Sequence, residues 1–234
     1  MRHAFVIAFR DRGTDPLRKA NLDFVLEYVE SLALGPIHLV DDGRAGIEQW
    51  NRHAAYNTGA HLAFQHADVV TFYEADMLVP KPQLVTAIEW AAQSPGLVVP
   101  FTERHEHNPQ DSDRIRNGEI QPWDCTATVI KPKPRRTGAI NVISRATYDL
   151  VGQYDPTFEG SWWDDRAMHL AFDMCAGPTR WVDGPSHHLF HLPGYTGGHL
   201  THEDKQATAR NRRRFTRYER ALTPEQIRYL TAGI

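Results

Sequence analysis

The first hundred residues alternate between two hydrophobic periods, and that alternation limits the possible folds more sharply than composition does. Residues 3–9 (HAFVIAF) are an unbroken apolar run of strand length. After a polar loop, Leu22, Val25, Leu26, Val29 and Leu32 recur at helical spacing. Residues 36–40 (PIHLV) and 67–73 (ADVVTFY) repeat the strand signal, with a helix expected over 50–65 between them. A helix over 82–93 and a strand over 96–101 (GLVVPF) complete the series. A βαβαβαβ order predicts an α/β fold built on a mostly parallel, doubly wound sheet with right-handed crossovers.

In such a sheet, ligands bind beyond the carboxyl ends of the strands, so the residues that follow each strand carry the functional signal. The third strand stops on Glu74-Ala75-Asp76, the second on Asp41-Asp42-Gly43 and the first on Arg10-Asp11-Arg12. Two carboxylates one residue apart can hold a hard divalent cation, which can in turn hold a diphosphate. Arginines at the same edge can pair with phosphate oxygens, and Asp42 is placed to accept hydrogen bonds from a base or ribose. The first loop is not glycine-rich, so it is neither a P-loop nor a dinucleotide fingerprint.

Beyond residue 101 the pattern changes. Residues 102–137 are rich in charge, histidine and proline with weak periodicity, which suggests a long excursion over the active face. A strand over 138–144 (GAINVIS), a short helix over 145–152 and a helix over 164–175 follow, then an extended stretch over 180–192. A helix is expected over 203–222. Thr223-Pro224-Glu225-Gln226 announces another, with an N-cap, a proline at N1 and Gln at N3. The basic stretch Arg210-Asn211-Arg212-Arg213-Arg214-Phe215-Thr216-Arg217-Tyr218 reads in isolation as a nucleic-acid patch. A net charge of −3 argues against nucleic acid, and an anionic acceptor or a donor diphosphate is the expected partner of these arginines. Cys125 and Cys175 form no framework and no zinc spacing. No apolar run approaches the roughly 20 residues of a membrane helix, and a cytoplasmic protein is the simplest expectation.

The ordered landmarks Ala8-Phe9-Arg10-Asp11-Arg12, Asp41-Asp42-Gly43, Trp50-Asn51-Arg52, Asn57-Thr58-Gly59-Ala60 and Glu74-Ala75-Asp76 resemble those of GT-A-fold glycosyltransferases. β-1,4-Galactosyltransferases are similar in their first-strand Pro-Phe-Arg-x-Arg motif, their Phe-Asn-Arg and their Asp-x-Asp. The resemblance continues through Gly138-Ala139-Ile140 and Phe158-Glu159-Gly160-Ser161-Trp162-Trp163-Asp164-Asp165. That second block is similar to the Gly-Trp-Gly-x-Glu-Asp segment of galactosyltransferases and the Trp-Asp-Asp segment of bacterial galactofuranosyltransferases. It extends over about residues 5–220.

The resemblance implies a single GT-A catalytic domain over 1–234. Its nucleotide-sugar half would span 1–101, its acceptor half 102–202 and its C-terminal helices 203–234. It implies transfer, with inversion, from a nucleotide sugar, above all a UDP-sugar, to a carbohydrate, glycan or protein acceptor. Arg10, Arg12, Asp42, Arg52 and Glu74 would contact the donor, Glu74 standing where the family usually carries Asp. Asp76 would bind Mn²⁺ or Mg²⁺ together with a late histidine, His188 in preference to His191. His187, His199 and His202 are expected on the surface or in loops. Asp165 would be the catalytic base, a role that suits a carboxylate at a helix N-terminus, whereas Asp164 serves equally as a cap or a functional group. Trp162 and Trp163 cannot both be buried by strand alternation, so one is expected in the core and the other in the cleft as an acceptor platform. A nucleotidyltransferase of related fold, or a carbohydrate- or nucleic-acid-binding module without turnover, are the alternatives.

Overall fold

Three apolar strands, β1 (His3–Ala8), β2 (Ile37–Val40) and β3 (Val69–Tyr73), pair in parallel with β1 in the middle. A computed structural model describes residues 1–132, 139–194 and 196–234. Every residue of β3 is buried, as an unalternated apolar run requires when helices cover both sheet faces. The first crossover is α1 (Pro16–Leu32), capped where the Asp15 carboxylate accepts from Leu17 N and with Pro16 pre-set at its first position. The second is α2 (Arg52–Ala63), capped by Asn51, whose side chain accepts from Ala54 N. Helix α2 lies very close to β1: a Cβ on Gly59 would stand 2.2 Å from Val6 Cγ1. Only glycine fits there.

The strand expected over 96–101 shortens to β5 (Val98–Val99) and does not lie beside β3. Strand β8 (Ile140–Ser144) takes that position, running antiparallel to β3 over five residue pairs. Strand β9 (Arg180–Trp181) closes the far edge, giving the order β2-β1-β3-β8-β5-β9. Five of the six strands run one way and β8 alone opposes them. The expected mostly parallel sheet is present. The displacement of its fourth strand has a simple cause, because β8 offers β3 a longer ladder than β5 can.

The excursion is less of a loop than its composition suggests. It contains β6 (Glu103–Glu106), α4 (Pro109–Arg116) and β7 (Val129–Pro132). With β4 (Met77–Leu78) and β10 (Pro185–His188) these strands build a second sheet, ordered β4-β10-β6-β7. Residues 133–138, which include the end of the excursion and Gly138 of the resemblance, lie outside the described residues, as does Tyr195. The remaining helices are α3 (Lys81–Gln93), α5 (Arg145–Val151), α6 (Asp164–Ala176), α7 (His202–Arg220) and α8 (Pro224–Thr231). Helix α7 opens with a reciprocal capping box between Thr201 and Asp204, and α8 with the expected Thr223 cap. Among the described residues no helix is long and apolar enough to cross a membrane.

The C-terminal helices are locked to the body through one carboxylate. Asp155, whose side chain is fully enclosed, accepts from Arg214 Nε at 2.7 Å, Tyr218 OH at 2.8 Å and Thr157 Oγ1 at 2.8 Å. The same guanidinium donates to the carbonyls of Leu230 and Ile234, so it also ties α8. Replacing Asp155 by Ala strands a buried arginine. The expected loss of stability is about 3–5 kcal/mol, read as an early urea or thermal unfolding midpoint.

Candidate active site

Because β1, β2 and β3 are parallel, their C-terminal ends open on one edge, where a cleft of about 650 Å³ lies. Arg10, Arg12, Arg52, Glu74, Asp76, Trp162, Asp164, Asp165, His188 and His191 all line it. Residues distant in sequence converge here because β3 hands the chain directly from the first sheet to the second. Strand β4 pairs antiparallel with β10, placing His188 opposite Met77, while Leu189 N donates to the Asp76 carbonyl at 2.9 Å. Strand β6 pairs with β10 on the other side and sets Glu106 beside His188.

Asp76, His188 and His191 form a cluster whose potential ligand atoms all lie within 4.8 Å of one another. His191 Nε2 is 2.9 Å from Asp76 Oδ2, His188 Nε2 is 3.7 Å from Asp76 Oδ1, and the two imidazole Nε2 atoms are 3.2 Å apart. Each ring uses its other nitrogen elsewhere. His188 Nδ1 donates to Glu106 Oε2 at 2.6 Å, and His191 Nδ1 to the Leu192 carbonyl at 2.8 Å. Those bonds leave both Nε2 lone pairs facing one point, the arrangement by which outer partners orient metal-binding histidines. Asp76 Oδ1 is buried without a hydrogen-bond partner, and a bound cation would satisfy it. Burial opposes ionisation of Asp76, yet His188 and His191 hold its carboxyl well below the usual range. Burial and Arg104 work against protonation of His188, but Asp76 and Glu106 raise it overall. A donor set of two imidazoles and a carboxylate fits a manganese-like cation better than magnesium, which prefers oxygen throughout.

Opposite this cluster sits a guanidinium shared by three carboxylates. Arg52, the first residue of α2, reaches Glu74 through Nη1, and Asp164 (2.5 Å) and Asp165 through Nη2. Asp164 and Asp165 open α6, after Trp162 and Trp163, which both hold left-handed backbone with φ of 80° and 77°. Bulky residues rarely adopt that conformation, and each instance stores about 1–3 kcal/mol. The surroundings impose it. The buried Asn211 amide on α7 donates to the carbonyls of Glu159 and Trp162, and Gly160 N donates to Trp50 O at 2.6 Å. Burial raises the Asp165 carboxyl to about 7. Arg52 opposes that rise, Asp164 and Glu74 add to it, and Arg104 opposes it. Asp164, paired to Arg52 and 4.0 Å from His53 Nε2, is instead held low despite its burial. Two adjacent carboxylates are thus driven apart in acidity, a pattern typical of acid–base sites.

The expected site residues do not all face the cleft in the same way. Arg10 spends its guanidinium on Asp42 (Nε to Oδ1, 2.7 Å) and on the carbonyls of Gly46 and Glu48, shaping the loop after β2. Asp42 also accepts from Asn51 N at 2.8 Å, is fully enclosed and does not line the cleft. Arg12 lines the cleft, bound to Asp204 and the Ile47 carbonyl. Trp162 is exposed on the cleft wall, while Trp163 packs on Phe215 with Arg166 and Arg212 over its ring. His199 is an exposed residue of the cleft rim, and His202 is exposed at the start of α7.

Two expectations are corrected. His187 is buried, stacked on His107 with Nδ1 3.0 Å from His107 Nε2, because adjacent residues of β10 point to opposite faces. None of the arginines over 210–217 lines the cleft. Arg214 is consumed by Asp155, Arg212 by Trp163, and Arg210 pairs with Glu203 and Glu159. Sequence reasoning missed Arg104, Glu106 and Arg18, all of which line the cleft. The alternation Glu103-Arg104-His105-Glu106 was the available signal for the first two.

No family model matches the chain, and no curated protein matches it in sequence. Solved structures do. The catalytic domain of Drosophila β1,4-galactosyltransferase 7, in complex with xylobiose, superposes with a TM-score of 0.51 at 14% identity, over 77% of this chain and 64% of that one. A mutant of that enzyme, in complex with manganese, UDP-Gal and xylobiose, gives 0.53 at 11% identity, over 88% and 79%. Glucosyl-3-phosphoglycerate synthase from Mycobacterium tuberculosis, with Mn²⁺, UDP-glucose and phosphoglyceric acid, gives 0.52 at 13% identity, over 93% and 78%. The chain spans less than two thirds of the first of these structures. The likeness shows the fold, which is GT-A.

The clustered donors generate a direct expectation for titration calorimetry. Mn²⁺ should bind the wild-type chain and not Asp76→Ala. Glu106→Gln, which leaves all three donors in place, should bind it about 10–100-fold more weakly through loss of ring orientation.

Proposed function

We propose that this chain is a metal-dependent glycosyltransferase that moves a sugar, with inversion, from a UDP-sugar to an acceptor hydroxyl. One observation carries the reading: a half-buried carboxylate–imidazole cluster and a carboxylate raised to about 7 line the same cleft, at the ligand-binding edge of a GT-A sheet. The neighbouring folds that hold manganese with UDP-Gal or UDP-glucose support the choice of donor and cation.

In this reading Asp76, His188 and His191 hold the cation. A bound divalent cation supplies charge that offsets the negative charge developing on a departing diphosphate. Asp165 accepts the proton of the acceptor hydroxyl as its oxygen attacks the anomeric carbon from the face opposite the leaving group. The bond from that carbon to the diphosphate oxygen breaks, and the nucleotide diphosphate leaves with the electron pair. Arg12 and Arg52 line the donor side, with the Arg10–Asp42 pair fixing the loop behind them. Trp162 offers the acceptor an apolar ring face. Residues 1–101 form the donor half, 102–202 the acceptor half, and 203–234 buttress the loop before α6. Both cysteines are free thiols, which agrees with a cytoplasmic setting.

A thermal-shift panel of UDP-, GDP-, dTDP- and CDP-sugars, each with and without Mn²⁺, tests the reading. Stabilisation that needs metal and UDP-sugar together is the expected result. Stabilisation by nucleic acid alone, or a nucleoside triphosphate consumed in place of the sugar nucleotide, would overturn it. Asp165→Asn should lower kcat by about 10²–10⁴-fold while leaving UDP-sugar binding in place. The base must be ionised to work, so kcat/KM of the wild type should rise tenfold per pH unit below about 7 and level off above it.

A further inference from the structure

Glu74 holds the position at which the resemblance places an aspartate near the cation, yet its carboxylate is committed elsewhere. It bonds Arg52 Nη1 and is not part of the Asp76–His188–His191 cluster. The extra methylene of glutamate suits that reach. Arg52 Nη2 continues the chain to Asp164 and Asp165. We propose that Glu74 acts through Arg52 as a positioning residue for Asp165, setting the orientation and proton affinity of the base rather than binding the cation. The proposal rests on the reading of Asp165 as that base.

The charge balance explains why this arrangement matters. One guanidinium faces three carboxylates in a largely enclosed pocket, so the group carries an excess of two negative charges when all are ionised. Such a cluster takes up a proton readily, because like charges in a poorly solvated site cannot all persist. Asp164 is the most enclosed of the three and has both Arg52 and His53 beside it, whereas Asp165 keeps a third of its side chain exposed to the cleft. The proton therefore settles on Asp165, the group that an acceptor hydroxyl can reach. The groups that act on Asp165 come from several elements. They are Arg52 and Tyr56 on α2, Glu74 after β3, Arg104 on β6, Asp164 on its own helix and Tyr154 after α5. Arg52 and Arg104 favour its ionised form; Asp164 and Glu74 disfavour it.

Opposite signs make the test selective. Asp165 is followed by carboxyl ¹³C NMR across pH in the full chain without added metal, its signal identified by its absence from Asp165→Asn. Glu74→Gln, nearly isosteric, should lower the Asp165 midpoint by about half a unit or more, and Arg52→Gln should raise it by about one unit or more. Arg52→Lys keeps the charge and loses the planar fork, so the midpoint should stay within about half a unit of wild type while sugar transfer slows. Mn²⁺ affinity by calorimetry should be unchanged in Glu74→Gln. Loss of Mn²⁺ binding in Glu74→Gln as complete as in Asp76→Ala would overturn the proposal, as would an Asp165 midpoint unmoved in Glu74→Gln. Should Arg52→Gln fail to fold, the Glu74→Gln pair of measurements still decides. Titration and calorimetry need no turnover, so a chain that transfers no sugar would sink the proposed function and leave this test standing.

Discussion

One guanidinium against three carboxylates is the constraint on which the rest of the cleft depends. Arg52 starts α2, Glu74 follows β3, and Asp164 and Asp165 begin α6, so the ion cluster joins the first sheet to the helix that follows the excursion. Remove the positive charge and the carboxylates could share this pocket only by taking up protons or moving apart. Buried pairs of this kind add little net stability, but losing one partner is costly. Their value lies in geometry. They fix where the start of α6 stands relative to the carboxyl end of β3, and hence the distance across which the two halves of the cleft face each other.

The left-handed pair Trp162-Trp163 belongs to the same construction. A chain entering α6 from Gly160 has to turn sharply to bring both aspartates over Arg52, and positive φ at two bulky residues is the means. Asn211 supplies the counter-hold from α7 by donating to two carbonyls of this segment. The basic stretch around Asn211 therefore has an inward purpose that charge alone does not reveal.

How much of this was legible in the sequence follows from which contacts are local. Strands β1 and β3 and helices α1 and α2 were visible because apolar period and capping chemistry are written within a dozen residues. The ligand edge followed from strand order, and with it Glu74 and Asp76; Arg52 and the aspartates of α6 came through the resemblance to GT-A glycosyltransferases. The second sheet was illegible. Its strands are polar or very short, Glu103–Glu106 and Met77–Leu78 among them, and these two pair with β10 across about 80 and about 110 residues respectively. Without that register, only the resemblance separated His187 from His188, and it left His187 on the surface, whereas strand alternation turns it into the interior of the opposite face. The pairing of Arg10 with Asp42 was hidden for a related reason: each residue looked available because its partner lay on another loop. Glu106 lay within a readable alternation, but its role exists only beside His188.

Asp76 sits on the link from the first sheet to the second, one residue before β4, and Met77 is paired directly with His188 inside the second sheet. One donor comes from that link and two from the end of β10 and the residues after it, so an occupant would act as a rivet between the link and the second sheet. Its binding free energy would appear as mechanical coupling: parting β4 from β10 would require releasing the ion first. Amide protons of β4 and β10 would then exchange more slowly in the loaded protein than strands so short could achieve unaided.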